Sequence, residues 1–241
     1  MKDWLGRLAL IAGVIAAGLV LAAGPSHRFG YLDWMPALGL LGYGVYAAMG
    51  AGALAVLWLI FALIGRSASG WVTIVIALAL AVGAAAGPIG MRMTAASLPF
   101  IHDITTDTAE PPAFVALKPA RDAAFNGGDY KTDPAEQQKG YPDIQPLIDP
   151  ATPPADMFKR AEATARAMGW EIVAAVPQDG RIEATDTTAW WGFKDDIVIR
   201  IRPEGEGSRL DIRSMSRVGK SDLGKNADRI RKFFAALKET K

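Results

Sequence analysis

The residues best suited to chemistry lie in one polar run near the C-terminus, Arg213-Ser-Met-Ser-Arg-Val-Gly-Lys-Ser-Asp-Leu-Gly-Lys-Asn226. Arg213, Ser214, Ser216, Arg217 and Ser221 combine two guanidinium groups, three hydroxyls and the free N–H groups of a helix start. That set could hold a phosphate, sulfate or carboxylate. A structural reading competes with it: Arg213 and Arg217 pair with Asp195 and Asp196, Ser221 caps the helix, and Asp222 repels an anion. A second cluster, His102, Asp103, Thr105, Thr106 and Asp107, offers an imidazole and two carboxylates for a divalent cation or a general base. Its structural alternative is a hydrogen-bonded turn. With no second histidine at ligand spacing, no metal site and no cofactor are assigned. Asp195-Asp196 resembles a carboxylate pair for acid–base work, yet neighbours on a strand face opposite sides and serve one site only across a bulge. The aromatic Trp190-Trp191-Gly192-Phe193 could dip into a bilayer surface, bind a ligand, or pack in the core.

Composition narrows the chemistry. The 241 residues include no cysteine, which excludes a disulfide scaffold, a thiolate zinc site and a cysteine nucleophile. Only His27 and His102 can supply an imidazole. The net charge of +1 gives no reason to expect nucleic acid. That charge is unevenly spread: residues 1–100 carry five basic and two acidic side chains, the remainder 21 and 23. A nearly charge-free apolar half therefore precedes a dense, roughly neutral one.

Three stretches lack Asp, Glu, Lys and Arg: Leu8 to Ser26, Trp34 to Gly65 and Ser67 to Met91. Each is long enough to cross about 30 Å of hydrocarbon, so three transmembrane helices are expected at about 5–24, 37–64 and 70–90. The first could instead be a cleaved signal peptide, since Lys2 and Arg7 precede its apolar run. No charge sits mid-span, which argues against a proton relay. Small residues four apart (Ala9, Gly13, Ala17; Gly44, Ala48, Gly52; Gly83, Gly87) suggest a compact bundle or an oligomer. Phe29, Tyr31, Trp34 and Trp71 suit the aromatic belts. Lys2, Arg7 and Arg66 against Arg28 and Arg92 favour a cytoplasmic N-terminus and a periplasmic soluble half.

Residues 97–152 hold many of the chain's prolines and read as an extended arm, with one short helix started by Asp133, Pro134 and Glu136. From 153 to 241 the pattern predicts an α+β two-layer domain. Met157, Phe158, Ala161, Ala165 and Met168 form a helix stopped by Gly169. Four strands follow, with Ile172, Ile182, Ile197 to Ile201, and Leu210 and Ile212 on their apolar faces. A last helix starts at Ser221 and carries Leu223, Ala227, Ile230, Phe234 and Leu237. The expected sheet is a four-stranded antiparallel meander with two helices on one face and the arm around it. Pairing Ile199 with Ile212 puts Arg200 beside Asp211; pairing Ala184 with Ile199 adds Glu183 beside Arg200, a charge ladder on the other face.

The runs His102-Asp-Ile-Thr-Thr-Asp107, Pro111-Pro-Ala-Phe114, Tyr141-Pro-Asp-Ile-Gln-Pro-Leu147, Phe193-Lys-Asp-Asp196 and Arg213 to Gly224 together resemble the bacterial family of unknown function numbered fourteen ninety-nine. The resemblance covers most of residues 98 to 237. It implies a soluble domain behind membrane spans and no established activity. Some relatives carry an N-terminal cysteine segment, absent here, so no thiol function is implied. Three functions are expected to compete. One is a membrane-anchored envelope protein, in contact with the lipid bilayer and a homo-oligomer or envelope partner, whose domain binds or scaffolds. Another is a hydrolase or cation-dependent enzyme using His102, Asp103 and Asp107 with Asp195 or Asp196. The third is anion or lipid-headgroup binding at Arg213 to Ser221.

Overall fold

A computed structural model describes the chain except for residues 1–2, 66–69 and 240–241. Lys2 and Arg66, two of the charges used for orientation, lie outside the described residues. The chain divides into two compact units: Met1–Ala96 with Ala189–Gly192, and Ser97–Thr188 with Phe193–Lys241.

The first unit is built from α1 (Asp3–Arg28), α2 (Trp34–Ile64) and α3 (Trp71–Ser97). All three are long and apolar enough to cross a membrane. They pack through layers of the smallest side chains: Ala9, Ala55 and Ala77 meet in one, Ala16, Ala48 and Ala84 in the next. Close approach replaces the hydrophobic drive that lipid cannot supply. At Gly44 a Cβ would come within 2.6 Å of the Val20 side chain and 3.0 Å of its backbone nitrogen. Trp58 closes the bundle at the far end, its ring filling space that Gly6 and Gly70 leave free. The stripe expected on the third helix is displaced. Ala77, Ala81 and Ala84 are buried, while Gly83 and Gly87 have nothing within 4 Å of their Cβ positions. A helix this rich in Ala and Gly shows small residues four apart on several faces, so spacing alone does not choose the packed one. The unit also takes in Trp190, whose indole lies over Gly24, and the Ala189 carbonyl, which accepts from Arg28.

The second unit is a six-stranded antiparallel sheet in the order β1-β6-β5-β4-β3, with β2 also on β6. Its strands are β1 (Asp103–Thr105), β2 (Leu147–Asp149), β3 (Glu171–Val176), β4 (Arg181–Thr187), β5 (Lys194–Glu204) and β6 (Gly207–Ser216). The meander β3 to β6 matches the α+β expectation. The arm adds β1 and β2, which short polar and proline-flanked sequences did not announce. The arm also carries two short helices, α4 (Lys118–Asp122) and α5 (Pro134–Gly140). Asp133 caps α5 by accepting from the Ala135 N–H at 2.9 Å. One turn later Gln137 closes the edge of β1: its amide donates to the Thr105 carbonyl (2.7 Å) and accepts from the Thr105 N–H (3.0 Å), as a further strand would.

Two helices, α6 (Pro154–Ala167) and α7 (Lys225–Glu239), cover one face of the sheet. The core lies there, where Met157, Phe158, Ala161, Ile230 and Phe233 meet Ile182, Ile197, Ile199, Leu210 and Ile212. Gly169, at φ +80°, ends the α6 segment, and Pro177–Asp179 with Gly180 turns β3 into β4. The opposite face is covered by the arm, with Phe114 and Leu117 on Val198 and Met215.

The β5–β6 register is the expected one, with Ile199 opposite Ile212 and Arg200 opposite Asp211. The β4–β5 register differs by two residues: Ala184 pairs with Ile197, Glu183 with Val198, and Arg200 faces Arg181. A slip of two keeps every side chain on its face, so apolar alternation cannot detect it. The last helix starts at Lys225 instead of Ser221, because Leu223 and Gly224 take positive φ (54° and 77°) and break the chain before it.

Candidate functional site

Strand β6 carries Arg213, Ser214 and Ser216 and leads into Arg217, and its alternation separates these four predicted site residues. Arg213 and Arg217 reach the arm side of the sheet, Ser214 and Ser216 the helix side. On the arm side the Arg213 guanidinium forks onto Asp103, Nε to Oδ1 at 2.9 Å and Nη2 to Oδ2 at 2.8 Å. It lies between the rings of Phe114 (4.9 Å) and Tyr130 (5.5 Å). Both partners are almost fully buried. Arg217 forks in the same way onto Asp196 (2.9 and 2.8 Å), which also accepts from Thr185 Oγ1 and from the wholly buried Arg121. Burial pulls the Arg121 guanidinium below its ordinary pKa, against the attraction of Asp196.

On the helix side a buried polar cluster joins β6 to α7. Ser214 donates to Asn226 Oδ1 at 2.7 Å, and the Asn226 amide donates to Ser216 Oγ and the His102 carbonyl. Arg229 donates to Asn226, to Asp195 at 2.6 Å and to Asp186 at 2.8 Å. Burial works against its charge, but Asp195 and Asp186 outweigh that and raise its pKa. Asp195 and Asp196 thus point to opposite faces, each with its own arginine. Asp222 caps α7, accepting from the N–H groups of Gly224 and Asn226. Its own burial pushes its pKa up, in spite of those two hydrogen bonds. Ser221 does not cap the helix; its hydroxyl is 3.4 Å from the Leu223 nitrogen.

Asp107 sits in a third cluster. Burial would raise its pKa, but the Glu110 N–H and the charges of Arg209 and Arg200 more than reverse this and hold it below the usual carboxylate range. Arg200, Arg202 and Arg209 share Asp107 and the buried Asp211 between them. His102 joins none of these clusters through its ring, whose Nδ1 lies 3.4 Å from the Lys220 carbonyl. With Asp103, Asp129, Thr132 and Asp133 it lines a cleft of about 280 Å³. Among the described residues no three His, Asp or Glu side chains converge as metal ligands.

The structure therefore brings Arg213 to Asp103, Arg217 to Asp196, and Ser214 and Ser216 to Asn226. It does not gather Arg213, Ser214, Ser216, Arg217 and Ser221 around one point. It also leaves His102 and Asp107 apart from the Asp195–Arg229 pair. Residues that the sequence reading did not name as site residues hold these groups in place: Arg121, Gln137, Asn226, Arg229, and Glu183, which was expected beside Arg200. Asn226 and Arg229 had a legible signal, polar side chains beside the apolar stripe of α7. Glu183, wholly buried, accepts from three consecutive N–H groups of the arm, Val115 to Leu117, at 2.8 to 3.1 Å, and no local pattern foretells that.

The profile of a family described as Protein of unknown function (DUF1499) matches residues 103–237. The chain belongs to this family. The matched region runs from β1 to near the end of α7 and so takes in the three ion-pair clusters and most of the arm, beginning one residue after His102. A search of curated proteins finds no match.

Proposed function

We propose that the chain is a membrane-anchored envelope protein whose family domain binds or scaffolds without catalysing a reaction. The observation that carries this reading is the state of its acids: Asp103, Asp107, Asp195, Asp196 and Asp211 are each tied to arginine. A general base or nucleophile must be able to change its proton or its partner during turnover. These carboxylates are instead locked between the arm, the sheet and α7, and the His102 ring, 3.4 Å from the Lys220 carbonyl, is hydrogen-bonded to none of them. The hydrolase reading needs His102 within reach of Asp195 or Arg213 side chains in a cleft, and the anion reading needs Arg213 and Arg217 free. The geometry favours neither. In this proposal the anchor lies in a bacterial inner membrane, with the N-terminus cytoplasmic and the family domain periplasmic, supported by the sequence count of three basic residues, Lys2, Arg7 and Arg66, on the N-terminal side against two, Arg28 and Arg92, on the other.

The test is complementation of a deletion strain with full-length His102→Ala. Rescue equal to wild type is expected. Loss of rescue by a variant that keeps its abundance and melting temperature overturns the non-catalytic reading. A topology reporter fused after Lys241 tests orientation, and activity only on the cytoplasmic side overturns the periplasmic assignment.

A further inference from the structure

Tyr43 and Tyr46 of α2 point out of the helical unit, 67% and 72% exposed, and among the described residues neither hydroxyl has a hydrogen-bond partner. Their depth follows from the packing. Ala9 lies beside Ala55 and Ala16 beside Ala48, so positions level with one another on α1 and α2 have numbers summing to 64. Tyr46 is then level with Gly18, one residue from the middle of the uncharged run Leu8 to Ser26. At 1.5 Å per residue, Tyr46 lies about 2 Å from that middle and about 5 Å from the middle of its own uncharged run, Trp34 to Gly65, well inside a hydrocarbon half-thickness of about 15 Å; Tyr43 lies about 6 and about 10 Å from the same two points. A tyrosine ring is rigid. From the depth of Tyr46 it can bring its hydroxyl neither to the headgroups nor back to the carbonyls of its own helix, and an unpaired hydroxyl in hydrocarbon is unfavourable.

The surrounding face is lined with small residues. Gly39, Tyr46 and Ala53 recur every seven residues on one stripe, flanked by Gly42 and Gly50. The three glycines have nothing within 4 Å of their Cβ positions, so this stretch of backbone is open to close approach. We propose that this face of α2 is an interface with a second copy of the chain, closed by hydrogen bonds from Tyr46 and Tyr43. Two copies inserted in the same direction have parallel α2 helices about a two-fold axis along the membrane normal, and like residues then meet. A hydroxyl both donates and accepts, so Tyr46 is complementary to itself, as an isologous contact requires. The inference rests on the reading that α1 to α3 cross a bilayer.

The absence of native cysteine allows a direct test. Full-length Ala53→Cys, on the stripe, and full-length Val82→Cys, on the exposed side of α3 at nearly the same level, are reconstituted in phosphatidylcholine vesicles at one protein-to-lipid ratio and oxidised. Ala53→Cys is expected to give several-fold more disulfide dimer than Val82→Cys. Adding Tyr43→Phe and Tyr46→Phe is expected to lower that yield by about 3-fold or more, the effect of two modest interhelical hydrogen bonds. No dimer from Ala53→Cys, equal yields from both positions, or a yield unchanged by the phenylalanines overturns the proposal. In native membranes, a crosslink from Ala53→Cys to a different protein in place of its own copy also overturns it. Alkaline extraction separates the two readings: a chain released to the supernatant removes the membrane reading and the interface with it, whereas a retained but monomeric chain removes the interface alone.

Discussion

At the scale of single residues, the deciding quantity is what is left unpaired when one partner is removed. Arg213→Ala leaves the Asp103 carboxylate, 1% exposed, buried without its fork, and should lower stability by about 3–5 kcal/mol. Arg217→Ala should cost less, because Arg121 and Thr185 still face Asp196. Chemical denaturation of the two variants checks that order, and equal losses would contradict it. Asp107 supplies the pH dependence. Its folded pKa lies below the ordinary value, so its contribution is complete above the unfolded pKa and is lost as the pH falls through the folded one. The melting-temperature gap between wild type and Asp107→Asn should be constant above about pH 5 and should close below about pH 4. A gap that widens on acidification contradicts this.

At the scale of elements, the arm behaves as part of the sheet. Gln137 takes the place of a missing strand beside Thr105, and Glu183 gathers three arm N–H groups. Gln137→Ala orphans both backbone groups of Thr105 and should destabilise by about 2 kcal/mol, accompanied by faster amide exchange along β1. Exchange unchanged at Thr105 would show that the edge closes without it. The α7 start is a second element-scale case. Asp222→Ala removes the acceptor for two N–H groups and should cost about 1–2 kcal/mol, and Asp222→Asn less. Asparagine keeps one acceptor and sheds the burial of a charge that already raises the Asp222 pKa. Thermal unfolding of the pair decides, and an asparagine variant as weak as the alanine one would refute the argument.

At the scale of the whole molecule, the core of the second unit is assembled from that unit's own residues, Ile101 to Leu237. Residues 97–241 expressed without 1–96 should therefore unfold in one cooperative transition. A molten or aggregated product, by circular dichroism and scattering, would show that the apolar half is required for folding.

What the sequence by itself determined is what local period and composition can carry. Three charge-free runs read as apolar helices; the Met157 to Ala165 and Ala227 to Leu237 stripes read as α6 and α7; alternation in β3 to β6 read as an antiparallel meander. The β5–β6 register was legible because opposite charges, Arg200 and Asp211, coincide with apolar pairs. The rest belonged to tertiary structure. The β4–β5 offset of two residues leaves every face unchanged, so periodicity is blind to it. The two strands of the arm owe their pairing to β6, a hundred or so residues away for β1, and the three residues of each are too few for a pattern. The candidate site was divided for a related reason. The spacing of Arg213, Ser214, Ser216 and Arg217 looked like one cluster along the chain, but a strand turns successive side chains to opposite faces, and what covers each face settled their partners: the arm for the arginines, α7 for the serines.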